Sequence, residues 1–320
     1  MPLPRFAASL LAAGIVVTGA AAVSAQGYPN RPIRVITAGI GGGNDVSARL
    51  IAQGLTAGLG QQAIVDNRAS GIVTAEAVAK APPDGYTVLV YGSTIWITPL
   101  LQNTPYDPVT DFAPITLVAI SPHAIVVHPS LPVKSVRELI ALAKAKPGDL
   151  NYASLGTGTS THLGAELFKS MAHVNIVRVP YKSAATQMAD LLSGQVQMTF
   201  STTGAAMPHV KSGRLRALAV TSAKPSALMS GLPTVAASGL PGFESGAIYV
   251  MFAPSGTPAA IISRLNQETV RYLNQADVKE RFFSAGLEAV GSTPEELAAK
   301  MKSEMARLGK VIKDAGIRAE

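Results

Sequence analysis

Along residues 33–59 the spacing of hydrophobic positions changes once. Ile33, Val35 and Ile36 have a strand's spacing, Gly39, Gly41, Gly42 and Gly43 interrupt it, and Val46, Leu50, Ile51, Leu55 and Leu59 recur at helical intervals before Gly60. The pattern predicts strand, glycine loop, helix. The same layout returns downstream as a strand over 150–153, a loop of small polar residues over 154–160, and a helix over 161–171 with Leu163, Leu167 and Phe168 on one face. Other apolar runs predict strands at 63–65, 86–91, 115–120, 124–127, 176–179, 196–200, 215–220 and 248–253. Helical spacing predicts helices at 72–80, 184–192 and from 257 to about 274. Ser135-Val136-Arg137-Glu138 reads as a capping box for a helix ended by Pro147-Gly148, and Thr293-Pro294-Glu295-Glu296 opens a last helix to about 314. Residues 221–246, rich in Pro, Gly and Ser, read as a long surface connection.

Strands that alternate with helices imply an α/β protein built on parallel sheet. The segments 124–127 and 248–253 stand where the chain would leave a first unit and return to it. The expected architecture is two lobes joined by two strand-like hinges. One lobe is discontinuous, 26–124 with 249–320, and the other is 125–248.

The first 25 residues change this picture. Arg5 is their only charge, an Ala-rich apolar run spans 6–23, and Val23-Ser24-Ala25 offers small residues before Gln26. That is the form of a cleaved secretory signal peptide. An anchoring helix is the alternative, but Gly14, Thr18 and Gly19 weaken the run and no basic stop-transfer segment follows. Removing Arg5 lowers the net charge from +7 to +6. No long Lys/Arg block accompanies that mild basicity and aromatics are scarce, which argues against a nucleic-acid partner and suits attraction of anionic solutes. With no cysteine, an exported chain of this length is stable by packing alone, as in a bacterial periplasm.

A strand–glycine loop–helix junction points backbone N–H groups, at the positive end of a helix dipole, into the space beyond the strand. Two such cups, one on each lobe, can hold a carboxylate without a cationic side chain. The candidate ligand-binding residues are Gly41, Gly42, Gly43 and Asp45 on the first loop and Ser154, Gly156, Thr157, Thr159 and Ser160 on the second. Ser70, Ser93, Thr94, Trp96, Tyr181, Ser201 and Thr202 follow strand ends and join them. Trp96, the only tryptophan, is expected in the core by default, with its place after Ser93-Thr94 on a strand-exit loop making a cleft wall the equal alternative. Asn44 or Asp45 is expected to serve the start of its helix, Arg49 and Arg68 to form structural ion pairs, and His162 to be structural. His123, His128, His162, His173 and His209 lack zinc-ligand spacing, so no metal is expected.

Tyr28-Pro-Asn-Arg-Pro-Ile-Arg34, the glycines with Asp45 and Arg49, and Asp66-Asn67-Arg68 resemble the opening of the Bug family, the extracytoplasmic solute receptors of tripartite tricarboxylate transporters. The resemblance continues through Pro83-Asp84-Gly85-Tyr86-Thr87, Tyr106-Asp107-Pro108, Asp111-Phe112-Ala113-Pro114, His162-Leu163 with Glu166-Leu167-Phe168, Val179-Pro180-Tyr181-Lys182 and 215–220. It implies a type II periplasmic-binding-protein fold that closes on a small organic acid. It also implies integral membrane transporter subunits as partners, a monomer, no cofactor, and one ligand carboxylate held by backbone, hydroxyls and ordered water. A sensing role on a signalling partner is the alternative. The sequence departs from the family at Ala38-Gly39-Ile40-Gly41, at the shortened stretch 68–72, at Thr94-Ile95-Trp96-Ile97-Thr98-Pro99 and at Ser201. All of these fall on loops expected at the cleft.

An enzyme fits poorly. The segment 39–44 lacks the third glycine of a dinucleotide loop, Asp66 lies too late, and no Gly-x-Ser-x-Gly or placeable Ser/His/Asp set occurs. An amino-acid ligand would bring an ammonium group needing an acidic partner, and the loop after Phe200 offers only Ser201, Thr202 and Thr203. The expected ligand is therefore a carboxylate without an amine, aromatic or medium-chain, its charged end at 154–160 and its apolar end near Trp96.

Overall fold

The alternation is realised as β1 (Ile33–Thr37), α1 (Gly43–Leu59), β2 (Ala63–Asn67), α2 (Gly71–Ala79), β3 (Thr87–Gly92), α3 (Thr94–Leu101) and β4 (Phe112–Val127). There follow α4 (Val136–Ala145), β5 (Asn151–Ser154), α5 (Ser160–Ala172), β6 (Val177–Pro180), α6 (Ala184–Ser193), β7 (Met198–Thr202), α7 (Thr203–Lys211) and β8 (Arg216–Val220). The chain closes with β9 (Gly246–Pro254), α8 (Ala259–Leu273), α9 (Ala276–Ser284), β10 (Glu288–Ala289) and α10 (Pro294–Asp314). This computed structural model describes residues 27–40, 42–68 and 71–318. The expected leader, 1–25, lies outside the described residues. Among the described residues, no helix is long and apolar enough to cross a membrane.

The sheets follow from who pairs with whom. In one lobe β2, β1 and β3 run parallel, and β9 lies antiparallel between β3 and β4. In the other, β6, β5 and β7 run parallel, while β4 takes β7 on one side and β8 on the other. The fold is thus a two-lobed α/β structure in which β4 serves both sheets. Its partners change between Pro122, opposite Gly246 of β9, and His123, opposite Thr202 of β7. The sequence predicts two separate strands here, but β4 is one strand of 16 residues. Pro122 reads as a break because it has no N–H to give. In place, it stands where the strand passes from one sheet to the next.

The second crossing, at Ser245 and Gly246, is fastened to the first by Thr221. The Thr221 hydroxyl accepts from His123 N at 2.9 Å and donates to Ser245 O at 2.8 Å, and backbone bonds join Thr221 to both strands. These groups are buried, so each bond also satisfies a donor or acceptor that water cannot reach.

The elements bury the faces their spacing assigns. Ile51 and Leu55 of α1 pack with Val35, Leu265 and Phe282 in the first lobe, and Phe168 of α5 packs with Phe200 and Phe243 in the second. Thr293 and Glu296 form the expected capping box of α10. Ser135 accepts from Glu138 N, but the Glu138 carboxylate takes Lys134 N instead of closing the box on Ser135. Helix α10 belongs to both lobes: Leu297, Met301, Leu308 and Ile312 enter the first lobe's core and Val311 the second's.

Three helices were not anticipated. Helix α3 is rich in β-branched residues and contains Pro99, helix α7 contains Pro208, and α9 follows α8 with only a two-residue break. Low intrinsic propensity hid the first two. In α3 burial overrides it, since Ile95, Trp96 and Ile97 all sit in the core. Trp96 is therefore not a cleft wall on a loop. Its side chain is 0 % exposed and packs edge-on against Phe252, with ring centroids 6.5 Å apart.

Candidate functional site

In the second lobe the loop from β5 to α5 is bound at nearly every step. The Thr159 hydroxyl caps α5 by accepting from His162 N at 3.3 Å. His162, buried, accepts the Gly158 N–H on Nδ1 at 3.1 Å. Gly158 itself has φ 79°, which favours glycine, and a Cβ there would stand 2.4 Å from Leu101 Cδ1 of the first lobe, so the loop lies closely against α3. Arg178 of β6 reaches under the loop, donating from Nη1 to Thr157 Oγ1 at 3.0 Å and from Nη2 to Leu155 O at 3.1 Å. Burial, with Arg178 nearby, pushes the His162 imidazole down to about 4 and keeps it neutral, as its acceptor role requires.

The first lobe builds its loop differently. The N-cap of α1 is Gly42, and no side chain caps the helix. The Tyr249 hydroxyl from β9 fills the space beside Gly43, where a Cβ would lie 2.1 Å from it. Burial raises the pKa of that phenol, so at neutral pH it remains a donor. Asp45 is 4 % exposed; it pairs with Arg49 at 2.9 Å and accepts from Asn67 Nδ2 at 2.9 Å. Beside it, Asn44 Oδ1 is buried without a protein partner.

Between the two loops lies the crossing of β4. His123 is 0 % exposed, its Nε2 lies 3.3 Å from the Ser160 hydroxyl, and its Nδ1 is buried without a protein partner. Burial alone pushes this imidazole down to about 4. An opening of about 310 Å³ is lined by Thr94, Thr98, Leu101 and Gln102 from the first lobe and Thr157, Gly158 and Thr159 from the second. Hydroxyls, amides and one leucine face it, and no carboxylate does. That set suits an acid with a short apolar body.

A model of the tripartite tricarboxylate transporter family receptor matches residues 47–317. The chain belongs to that receptor family. The receptor is 35 % identical over 303 residues to the protein BugT of Bordetella pertussis, covering 93 % of each chain. Among solved structures, that of R. palustris Rpa4515 with adipate is 38 % identical, with a TM-score of 0.76 over 92 % of this receptor and 100 % of that chain. MatC of Rhodopseudomonas palustris with bound malate is 28 % identical, with a TM-score of 0.71 over 89 % and 100 %. The family and the solved neighbours are solute-binding receptors and not enzymes.

Against this geometry, the residues singled out from the receptor's sequence divide clearly. Thr94, Thr157 and Thr159 line the opening, and Ser160 stands beside His123. Gly42 and Gly156 are exposed on their loops, and Gly43 lies under Tyr249. Ser93, at the N-cap of α3, is buried, and Ser154 and Ser201 are buried and give their hydroxyls to neighbouring backbone carbonyls. Thr202 is the exposed N-cap of α7. Tyr181 turns toward α6, donating to Asp190 at 2.8 Å, and Asp45 is engaged as described. Gly41 and Ser70 lie outside the described residues. Arg49 and Arg68 form ion pairs with Asp45 and Asp66.

Sequence reasoning missed Tyr249 beside Gly43, His123 beside Ser160, and Arg178 beneath the second loop. The first two sit on the hinge strands, where only the sheet pairing shows that they meet the loops. The expectation of a charge-free second cup is corrected by Arg178, which the parallel register of β5 and β6 sets opposite Tyr152.

Proposed function

We propose that the protein is a periplasmic solute receptor that captures a small organic acid lacking an amine between its lobes and delivers it to integral membrane transporter subunits. The observation that carries this reading is the opening shared by α3 and the β5–α5 loop, lined by donors from both lobes and by no carboxylate. An ammonium group there would lack the anionic partner that burial demands. The adipate and malate bound to two related receptors support a carboxylate. Leu101, and not Trp96, supplies the apolar contact, which favours a medium-length chain. In this reading 1–25 are removed on export, the mature receptor is a monomer, and 26–124 with 249–320 closes against 125–248 around the acid.

A thermal-shift panel of adipate, malate, benzoate, aspartate and glutamate tests it. An acid at about 100 times its Kd stabilises the folded state by about 2.7 kcal/mol, a shift of a few degrees for a chain of this size. The best acid should also reduce the radius of gyration in solution scattering. If aspartate or glutamate gives the largest shift, the exclusion of an amine is wrong, and if no acid shifts the melt, the receptor reading is wrong.

A further inference from the structure

The charges behind the second loop do not balance. Beside the second loop, the Glu166 carboxylate of α5 is fully engaged: Lys169 Nζ donates to its two oxygens at 2.8 and 2.9 Å, and the Tyr152 hydroxyl donates to Oε1 at 2.5 Å. His162 is neutral. Arg178 is thus a second cation over one carboxylate, and among the described residues it forms no salt bridge. Its two terminal nitrogens are spent on Thr157 and Leu155, and its Nε is buried with no partner. A half-buried guanidinium without a salt-bridge partner carries a desolvation cost that its two hydrogen bonds offset only in part. The α5 helix adds the positive end of its dipole at Ser160, whose hydroxyl lies 3.3 Å from His123 Nε2. Two features, the Arg178 guanidinium and the α5 dipole, therefore favour negative charge at one place, the end of the opening formed by the 155–160 loop.

We propose that Arg178 is the specificity-determining cation of this cleft, a positioning residue that acts through Thr157 and Leu155 and completes its charge balance with the carboxylate of the bound acid. The guanidinium holds the loop by a two-pronged bond that a lysine cannot reproduce. By donating to Thr157 Oγ1 it also polarises that hydroxyl, which makes the Thr157 O–H a stronger donor. Its unbalanced charge separates an acid from an uncharged molecule of the same shape, which hydroxyls and amides alone do weakly. The inference rests on the acid reading of the cleft and adds to it where the charge selectivity resides.

The test uses adipate, its monoamide and its diamide, three probes of one shape carrying two, one and no charges. Affinities for wild type, Arg178→Gln and Arg178→Lys are measured by calorimetry, and by ligand-observed NMR for the weak diamide. Arg178→Gln should weaken adipate and the monoamide by roughly 10- to 30-fold and the diamide by less than about 2-fold, because only the charged probes feel the lost cation. Arg178→Lys, which keeps the charge and loses the fork, should stay within about 5-fold of wild type for adipate. Raising the salt should weaken adipate binding more steeply in wild type than in Arg178→Gln. Equal losses for all three probes, or a lysine variant as weak as the glutamine one, would mean that Arg178 merely props the loop, and overturns the proposal while leaving the acid reading intact. Wild-type protein that holds none of the charged probes nor any acid of the panel overturns both.

Discussion

In the first lobe the chain turns from β1 into α1 with no side chain capping the helix, with a phenol laid against Gly43, and with the nearby acid Asp45 already neutralised by Arg49. In the second it turns from β5 into α5 through a loop fastened by Thr159, His162 and Arg178, with a cation left over. The same succession of strand, small residues and helix thus produces one cup held by close packing and electrically balanced, and another held by hydrogen bonds and positively biased. Backbone pattern sets where an anion can sit. The side chains behind the backbone set how strongly each cup prefers one. In the function proposed above, this difference is the reason to set the charged end of a ligand against the second lobe and the remainder against the first.

The sharpest way to break this comparison is to crowd each glycine. Gly43→Ala drives a methyl group into the Tyr249 phenol, meeting its hydroxyl at 2.1 Å and its ring carbons at 2.5 and 3.0 Å, so the whole ring must shift. Overpacking of this kind costs about 3 kcal/mol, read as a lowered midpoint in urea, with acid binding lost. Gly158→Ala meets only the tip of Leu101, which can rotate, and costs about 1–2 kcal/mol, chiefly from its left-handed backbone. If the two variants lose the same stability, the first loop is not held by packing in the way described.

Acid should act on the second cup and spare the first. His123 and His162 are both neutral in the folded protein, with pKa values near 4 against an ordinary 6.5. Between those values the unfolded chain binds protons that the folded chain refuses, so stability is complete above pH 6.5 and falls as the pH is lowered toward 4. For His123 alone the loss reaches about 2 kcal/mol at pH 5. Denaturation at pH 7.5 and pH 5.0 measures the total, and hydrogen exchange locates it: amides over 155–162 should lose protection at pH 5 while those over 42–50 hold theirs. Uniform loss, or loss confined to the first loop, would contradict the assignment.

The smallest effects are expected at the helix starts, Thr159→Ala giving the larger and Ser93→Ala the smaller. Losing the Thr159 cap costs about 1 kcal/mol of stability and frees the His162 N–H, with a several-fold weaker hold on adipate. Ser93→Ala, at the start of α3 where no side-chain cap bond is made, should change stability by less than about 0.5 kcal/mol. A reversal of that order in thermal melts would show that the first lobe's loop depends on its side chains after all.

Much of this architecture was legible before the structure. The 3.6-residue spacing of α1 and α5, the Thr293 capping box and the apolar strands are local signals, and each fixes an element where it lies. What escaped is non-local or runs against propensity. Helix α3 holds Thr94, Ile95, Ile97, Thr98 and Pro99, a composition that argues for extended chain, and is helical because its buried face fits the core beside Phe252. That fit also took Trp96 out of the ligand's reach. Arg178 sits in the middle of a short strand, among residues with no binding pattern of their own, and gains its meaning only when β6 aligns beside β5. The site's polar character could be read from its loops, whereas its charge had to await the sheet.

The position of β9 also dictates an order of assembly. This strand lies between β3 and β4, yet the chain reaches it only at residue 246, after the whole second sheet has been laid down. The second lobe can therefore complete its sheet from consecutive chain, once β4 has emerged. The first lobe must keep β3 and one edge of β4 open across more than a hundred residues of sequence, and such distant closures are the slow ones in folding. Until β9 inserts, those two hydrophobic strands offer bare edges to any neighbouring chain. Assembly ends when α10 contributes to both cores, so that the half synthesised first is sealed last.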